Sequence, residues 1–156
     1  MVNCECGIGD KADYQPEQVN GKWYVDYSSP DIFGQMSDVT IEFHLENKTY
    51  QSVLTFTYTN ESSPKVYDST WSINKDGDLE VEVPQLSNFN SVYRIVAAEE
   101  NEYIIFRGCP EISDGKPLLF IETEKRCPNV QKLKEAVQKL GMDLSTNFYK
   151  DPAVNC

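Results

Sequence analysis

Between positions 39 and 46 every second residue is apolar: Val39, Ile41, Phe43 and Leu45 alternate with Thr40, Glu42, His44 and Glu46. A period of two is that of a strand with one face in a core and the other in water. A chain built from such strands has to stack or close its sheet to cover the apolar face. The pattern returns at 78–83, where Leu79, Val81 and Val83 oppose Glu80 and Glu82.

Further strands are expected at 21–29, 49–59, 65–74, 91–98, 102–108 and 116–125, which makes eight with the two above. Asn60 to Pro64 supplies turn chemistry, and Asn74-Lys75-Asp76-Gly77 is a strong hairpin signal. Pro30 to Gly34 reads as a short helical turn. With short connections throughout, sequential antiparallel pairing is the economical topology. Tyr103-Ile104-Ile105-Phe106 and Leu118-Leu119-Phe120-Ile121 are apolar on both faces, so those strands need cover on each side. One cover is a helix at 128–140, with Val130, Leu133, Val137 and Leu140 on one face and Gly141 as its stop. Residues 146–150 read as a short last strand. The expected fold is all-β: an eight-stranded up-and-down antiparallel barrel with one C-terminal α-helix packed outside, as a single domain over 1–156.

The net charge of −11 disfavours nucleic acid and anionic membrane surfaces as partners. No stretch approaches the roughly 20 apolar residues that span a bilayer. Cys4, Cys6, Cys109, Cys127 and Cys156 form no compact pair of metal-ligand spacing, and His44 is the single histidine, so no metal or cofactor is expected. Disulfides are the better use of these cysteines, which implies an oxidising, extracellular setting. The sequons at Asn47 and Asn60 point the same way, each near a hairpin loop. Met1-Val2-Asn3-Cys4 reads as an initiator methionine before a mature secreted sequence.

Strand one carries Gly21-Lys22-Trp23-Tyr24 after Val19-Asn20. A Gly-x-Trp-Tyr entering the first of eight meandering strands, with one late helix, resembles the lipocalin family. The stretch from Ala97 to Cys109 is similar to a degenerate form of a second lipocalin motif. Ser29-Pro30-Asp31-Ile32-Phe33 with Gln35 is similar to lipocalin-type cockroach milk proteins, and Arg107 to Pro110 resembles cockroach allergen lipocalins. The resemblance implies that Gly21 and Trp23 close the narrow end of the barrel. It also implies that a basic residue before the helix, Arg126 or Lys125, packs across the Trp. It further implies a secreted carrier of fatty acids, pheromones or similar lipids.

Parity carried forward from Trp23 places Val25 and Tyr27 on the inner wall. It continues through Phe43, Leu54, Phe56 and Trp71, then Leu79, Val81, Tyr93 and Ile95, and ends with Ile104, Phe106, Leu118 and Phe120. Phe33 and Met36 would sit over the mouth. For a polar head group, Tyr27, Tyr58, Tyr67 and Tyr93 could offer hydroxyls, whereas Arg94 and Arg107 face outward. Glu122 shares the inward parity, and either it or Glu124 is expected to pair with Arg126 near the base. We expect Cys4 or Cys6 to bond Cys109, and Cys127 to bond Cys156, leaving one thiol free or paired between molecules.

The function expected is an extracellular carrier or store, monomeric or weakly dimeric, for a fatty acid or similar small apolar ligand. No catalytic residues are expected: His44 is on the polar face, no base neighbours it, and no cysteine falls on the lining. The alternatives are a salivary-type effector that binds proteins through its loops, and a nutritive milk or secretion protein with incidental lipid.

Overall fold

The computed structural model describes residues 11–154. Eight strands form the body: β1 (Gly21–Ser29), β2 (Met36–Glu46), β3 (Thr49–Tyr58), β4 (Lys65–Ile73), β5 (Leu79–Glu82), β6 (Ser91–Glu99), β7 (Tyr103–Gly108) and β8 (Leu118–Thr123). Each pairs antiparallel with the next. β1 pairs with both β2 and β8, so the sheet closes into a barrel. Closure leaves no ladder edge around the ring. The Asn74 hairpin forms as expected: Asn74 N donates to Asp78 O at 2.8 Å, and Gly77 takes φ +79°.

After the barrel come α1 (Val130–Lys139), α2 (Leu144–Asn147) and β9 (Tyr149–Lys150), which pairs with β1 outside the ring. Asn129 caps α1 through its side chain, and Asp143 caps α2. Leu133, Ala136 and Val137 pack on the outer side chains Val96, Ile105, Leu119 and Ile121. Burying a side chain such as Leu133 contributes roughly 1.5–3 kcal/mol. This is the second cover that the continuously apolar β7 and β8 required, and every residue of β8 is buried.

Local expectations are corrected in three places. The helical turn expected over 30–34 begins later, at Ile32, whose carbonyl accepts from both Gln35 N and Met36 N at 3.2 Å. Asp31 Oδ1 accepts from Phe33 N at 2.8 Å and Ser28 Oγ accepts from Ile32 N at 3.3 Å, which holds the amides at its start. Val130 is exposed and Ala136 takes a place in the buried stripe, because the helix begins at Val130 and its first turn overhangs the sheet. The expected strand at 146–150 shortens to β9, since Asp143 Oδ1 accepts from Ser145 N and Thr146 N and winds 144–147 into a helical turn.

Candidate functional site

The interior is built from the inward residues of all eight barrel strands. At the closed end a 3-10 turn over Pro16–Val19 lies against the barrel. Trp23 Nε1 donates to Val19 O at 2.9 Å and Tyr50 Oη donates to Pro16 O at 2.5 Å. The indole thus plugs this end with its one polar atom satisfied.

Above the plug, rings fill the barrel. Phe106 and Phe120 stack at 4.9 Å, and Trp71 meets Tyr93 at 5.8 Å and Phe106 at 5.4 Å. Phe89, from the β5–β6 connection, stacks on Tyr93 at 5.4 Å. At the mouth, Phe33 from the β1–β2 connection and Met36 from the start of β2 join the same apolar cluster. Phe56 contacts Tyr58 and Tyr67, whose hydroxyls are hydrogen-bonded to each other.

The roomier clefts lie outside this interior. One of about 360 Å³ beneath the closed end is bordered by Gln15, Glu17, Lys22 and Glu124, and one of about 440 Å³ lies along β2, β3 and β4. An apolar crevice among Tyr14, Val19, Ile95 and Ile104 has no room for a water molecule.

All of the expected lining except Tyr27 falls in this interior cluster. Tyr27 instead packs outside, with Leu133, Leu144 and Phe148. The reason is a bulge: Val25 pairs with Glu122 but Tyr27 pairs with Ile121, so Asp26 is an extra residue and parity reverses beyond it. The interior also holds Val39 and Ile41, on the apolar face of the alternation at 39–46, and Phe89 and Tyr50, which the expected lining left out. Of the expected hydroxyls, Tyr93 Oη is spent on Phe89 O at 2.8 Å, Tyr27 is outside, and Tyr58 and Tyr67 remain near the mouth. His44 lies on the surface, with its side chain 75% exposed, 3.6 Å from Glu46. Among the described residues no group of His, Cys, Asp and Glu is placed to hold a metal.

No protein-family model and no curated protein sequence matches the chain. Solved structures do. The cockroach major allergen Per a 4 superposes with a TM-score of 0.74 at 13% identity, covering 92% of this chain and 90% of its own. Lobster apocrustacyanin A1 gives 0.70 at 16% identity over 88% of this chain and 78% of its own. Insecticyanin from the tobacco hornworm Manduca sexta gives 0.68 at 12% identity over 92% and 86%. The chain has the lipocalin fold.

In this barrel the basic residue before the helix does not use Trp23 as its ring. Arg126 lays its guanidinium 4.6 Å over Tyr24, the next residue, which points to the opposite face of β1. It donates to Asp26 Oδ1 at 3.1 Å, bonds Asp38, and lies 3.9 Å from Asp151 Oδ2. Burial lifts the Asp26 carboxyl to about 6, against the opposing pull of Arg126 and Thr123. The bulge that displaced Tyr27 is therefore what presents Asp26 to Arg126.

Arg126 being so engaged, the expected pair with Glu122 or Glu124 is not formed. Glu124 is exposed, and Glu122 is wholly buried with neither carboxyl oxygen hydrogen-bonded. Arg94 faces outward as expected and grips Asp78. Cys109 and Cys127 are both in disulfides; the expected partners Cys4, Cys6 and Cys156 lie outside the described residues. Asn47 and Asn60 stand exposed in the turns after β2 and β3. No helix among the described residues is long and apolar enough to cross a membrane.

Proposed function

We propose that this lipocalin is a secreted, single-domain carrier or store for a small apolar molecule held inside the barrel, and that it has no catalytic role. The observation that carries this reading is the mouth: Phe33 joins the interior cluster from the β1–β2 loop, beside Met36 at the first position of β2, so a loop side chain helps to close the apolar space. A loop can swing aside without breaking the barrel's hydrogen bonds, and an adaptable Met suits such a cover. The rings fill the space between them, so an occupant has to part Phe89, Phe106 and Phe120 and replace ring–ring with ring–ligand contact. Burying an alkyl chain contributes about 0.8 kcal/mol per methylene, and ten or so methylenes suffice for firm binding after the losses of ordering.

Fatty acids and pheromone-like lipids satisfy this wall. The siderocalin Ex-FABP, whose structure overlays with a TM-score of 0.63 at 10% identity, is described as functioning through dual ligand specificities. Glycans on Asn47 and Asn60, and disulfides from Cys4 or Cys6 to Cys109 and from Cys127 to Cys156, fit the extracellular setting. We take the protein as a monomer or weak dimer.

The ring-filled interior also favours a second reading, in which the loops bind a protein partner or the chain is a nutritive secretion product. Native purification from a secreting host, organic extraction and mass spectrometry decide between them. A stoichiometric lipid supports the carrier. No extractable lipid, together with no binding of an uncharged apolar dye, overturns it in favour of the second reading.

A further inference from the structure

Glu122 is a carboxylate that strand parity turns into the barrel. Leu118 and Phe120 precede it on the inner face of β8, and its partners across the ladders are Val25 of β1 and Ile104 of β7, both interior residues. The side chain is 0% exposed, and neither oxygen has a hydrogen-bonding partner. Buried polar groups in folded proteins are nearly always satisfied, and a buried carboxyl is among the most costly to leave alone. The cation expected to answer it, Arg126, is held outside by Asp26 and Asp38. Glu122 therefore lies below the ring cluster, toward the Trp23 plug, as a lone acid among apolar side chains.

What complements such a group is a donor that arrives from elsewhere. Two features select its charge. The chain carries a net charge of −11, and the loops around the mouth hold Asp31, Glu61, Glu111 and Asp114 against Lys65 and Lys116. An approaching carboxylate is repelled at the mouth and then meets a second acid at the floor, whereas an ammonium is drawn in and matched. We infer that Glu122 is the head-group site of the barrel, and that it takes the basic nitrogen of an amine whose apolar body lies along the ring-lined wall. This inference rests on the carrier reading above and narrows its ligand class.

Burial alone acts on Glu122, raising its pKa well above the ordinary carboxyl range. Its inward neighbours, Trp23 and Val25 on β1, Ile104 and Phe106 on β7, and Leu118 and Phe120 on β8, carry no charge. Burial thus favours the protonated acid until an amine arrives. A free amine takes that proton to form the ammonium–carboxylate pair; an ammonium entering instead leaves Glu122 to release its proton to solvent.

The test uses the full chain with Nile red, an uncharged dye, as reporter, displaced by n-octylamine, octan-1-ol or octanoate. At neutral pH, octylamine should displace Nile red about tenfold more strongly than octanol, and octanoate most weakly. Calorimetry in buffers of different ionisation enthalpy should show proton release with octylamine alone. Glu122→Gln should abolish the advantage of the amine while leaving Nile red bound. Glu122→Leu serves the same purpose if the amide fails to fold. Equal displacement by octylamine and octanol, or an amine preference unchanged in both variants, overturns the assignment of Glu122 while leaving the carrier standing. Failure of Nile red and of all three competitors overturns the carrier reading, and the inference with it.

Discussion

Phe106 of β7 and Phe120 of β8 lie nearly parallel in the middle of the barrel, 4.9 Å apart with 14° between their planes. They are neighbours across one ladder, and each also meets Trp71 edge-on. On the proposed carrier reading, this stack sits where the ligand has to pass. Phe120→Ala removes one ring from a fully buried site and should destabilise the fold by about 3–5 kcal/mol, read by urea unfolding. The same variant should bind small apolar probes such as benzene more tightly than the parent does. A variant that loses stability without gaining binding would show that the neighbours collapse into the gap.

Gly108 packs face-on against the Tyr93 ring, and a methyl group on its Cα would overlap ring carbons of a side chain that is 0% exposed. Tyr93 is itself pinned by its hydrogen bond to Phe89 O. Gly108→Ala should therefore cost about 1–3 kcal/mol, the usual range for overpacking a tight core. Near-ultraviolet circular dichroism should change with it, since Tyr93 stacks on both Trp71 and Phe89.

Asp26 gives the fold a dependence on pH whose sign is unusual for a carboxylate. Burial raises its pKa from 3.8 to about 6, so the folded chain holds this proton more tightly than the unfolded chain. Its contribution to stability is fullest below 3.8, falls as pH rises toward about 6, and is level beyond that. Glu122 acts in the same direction. Asp26→Asn should flatten the curve of Tm against pH in this window, measured by thermal unfolding beside the parent. An unchanged slope would mean that Arg126 holds Asp26 ionised throughout.

Arg94 grips Asp78 through two hydrogen bonds, Nε to Oδ1 at 2.8 Å and Nη2 to Oδ2 at 2.9 Å, tying β6 to the turn before β5. The Asp78 side chain is 9% exposed. Asp78→Ala leaves the guanidinium without this partner and should cost about 1–3 kcal/mol in chemical denaturation. Adding the Arg94→Met change should recover part of that loss, because the guanidinium that lost its Asp78 hydrogen bonds goes with it.

The alternation of Val39, Ile41 and Phe43, the turn chemistry of Asn74 to Gly77 and the helical stripe of Leu133 and Val137 are local patterns. They were enough to read the eight strands, their sequential pairing and the helix outside. Parity from Trp23 likewise reached almost the whole inner wall, because a pleated strand repeats without error until a residue is inserted. It failed at Tyr27, where the extra residue Asp26 reverses the faces, and nothing in the surrounding sequence marks a bulge.

The same limit explains the charges. The inward position of Glu122 was visible in the alternation with Leu118 and Phe120, but its isolation was not. Whether Arg126 turns to Glu122 or to Asp26 and Asp38 depends on residues 100 and 88 positions away that only the closed barrel brings to it. The sequence by itself determined which residues face a core, since that follows from period and polarity along a few neighbours. Only the tertiary structure decided which rings fill the barrel, where the strands bulge and which acid is left alone inside it, because those outcomes are set by contacts between distant strands.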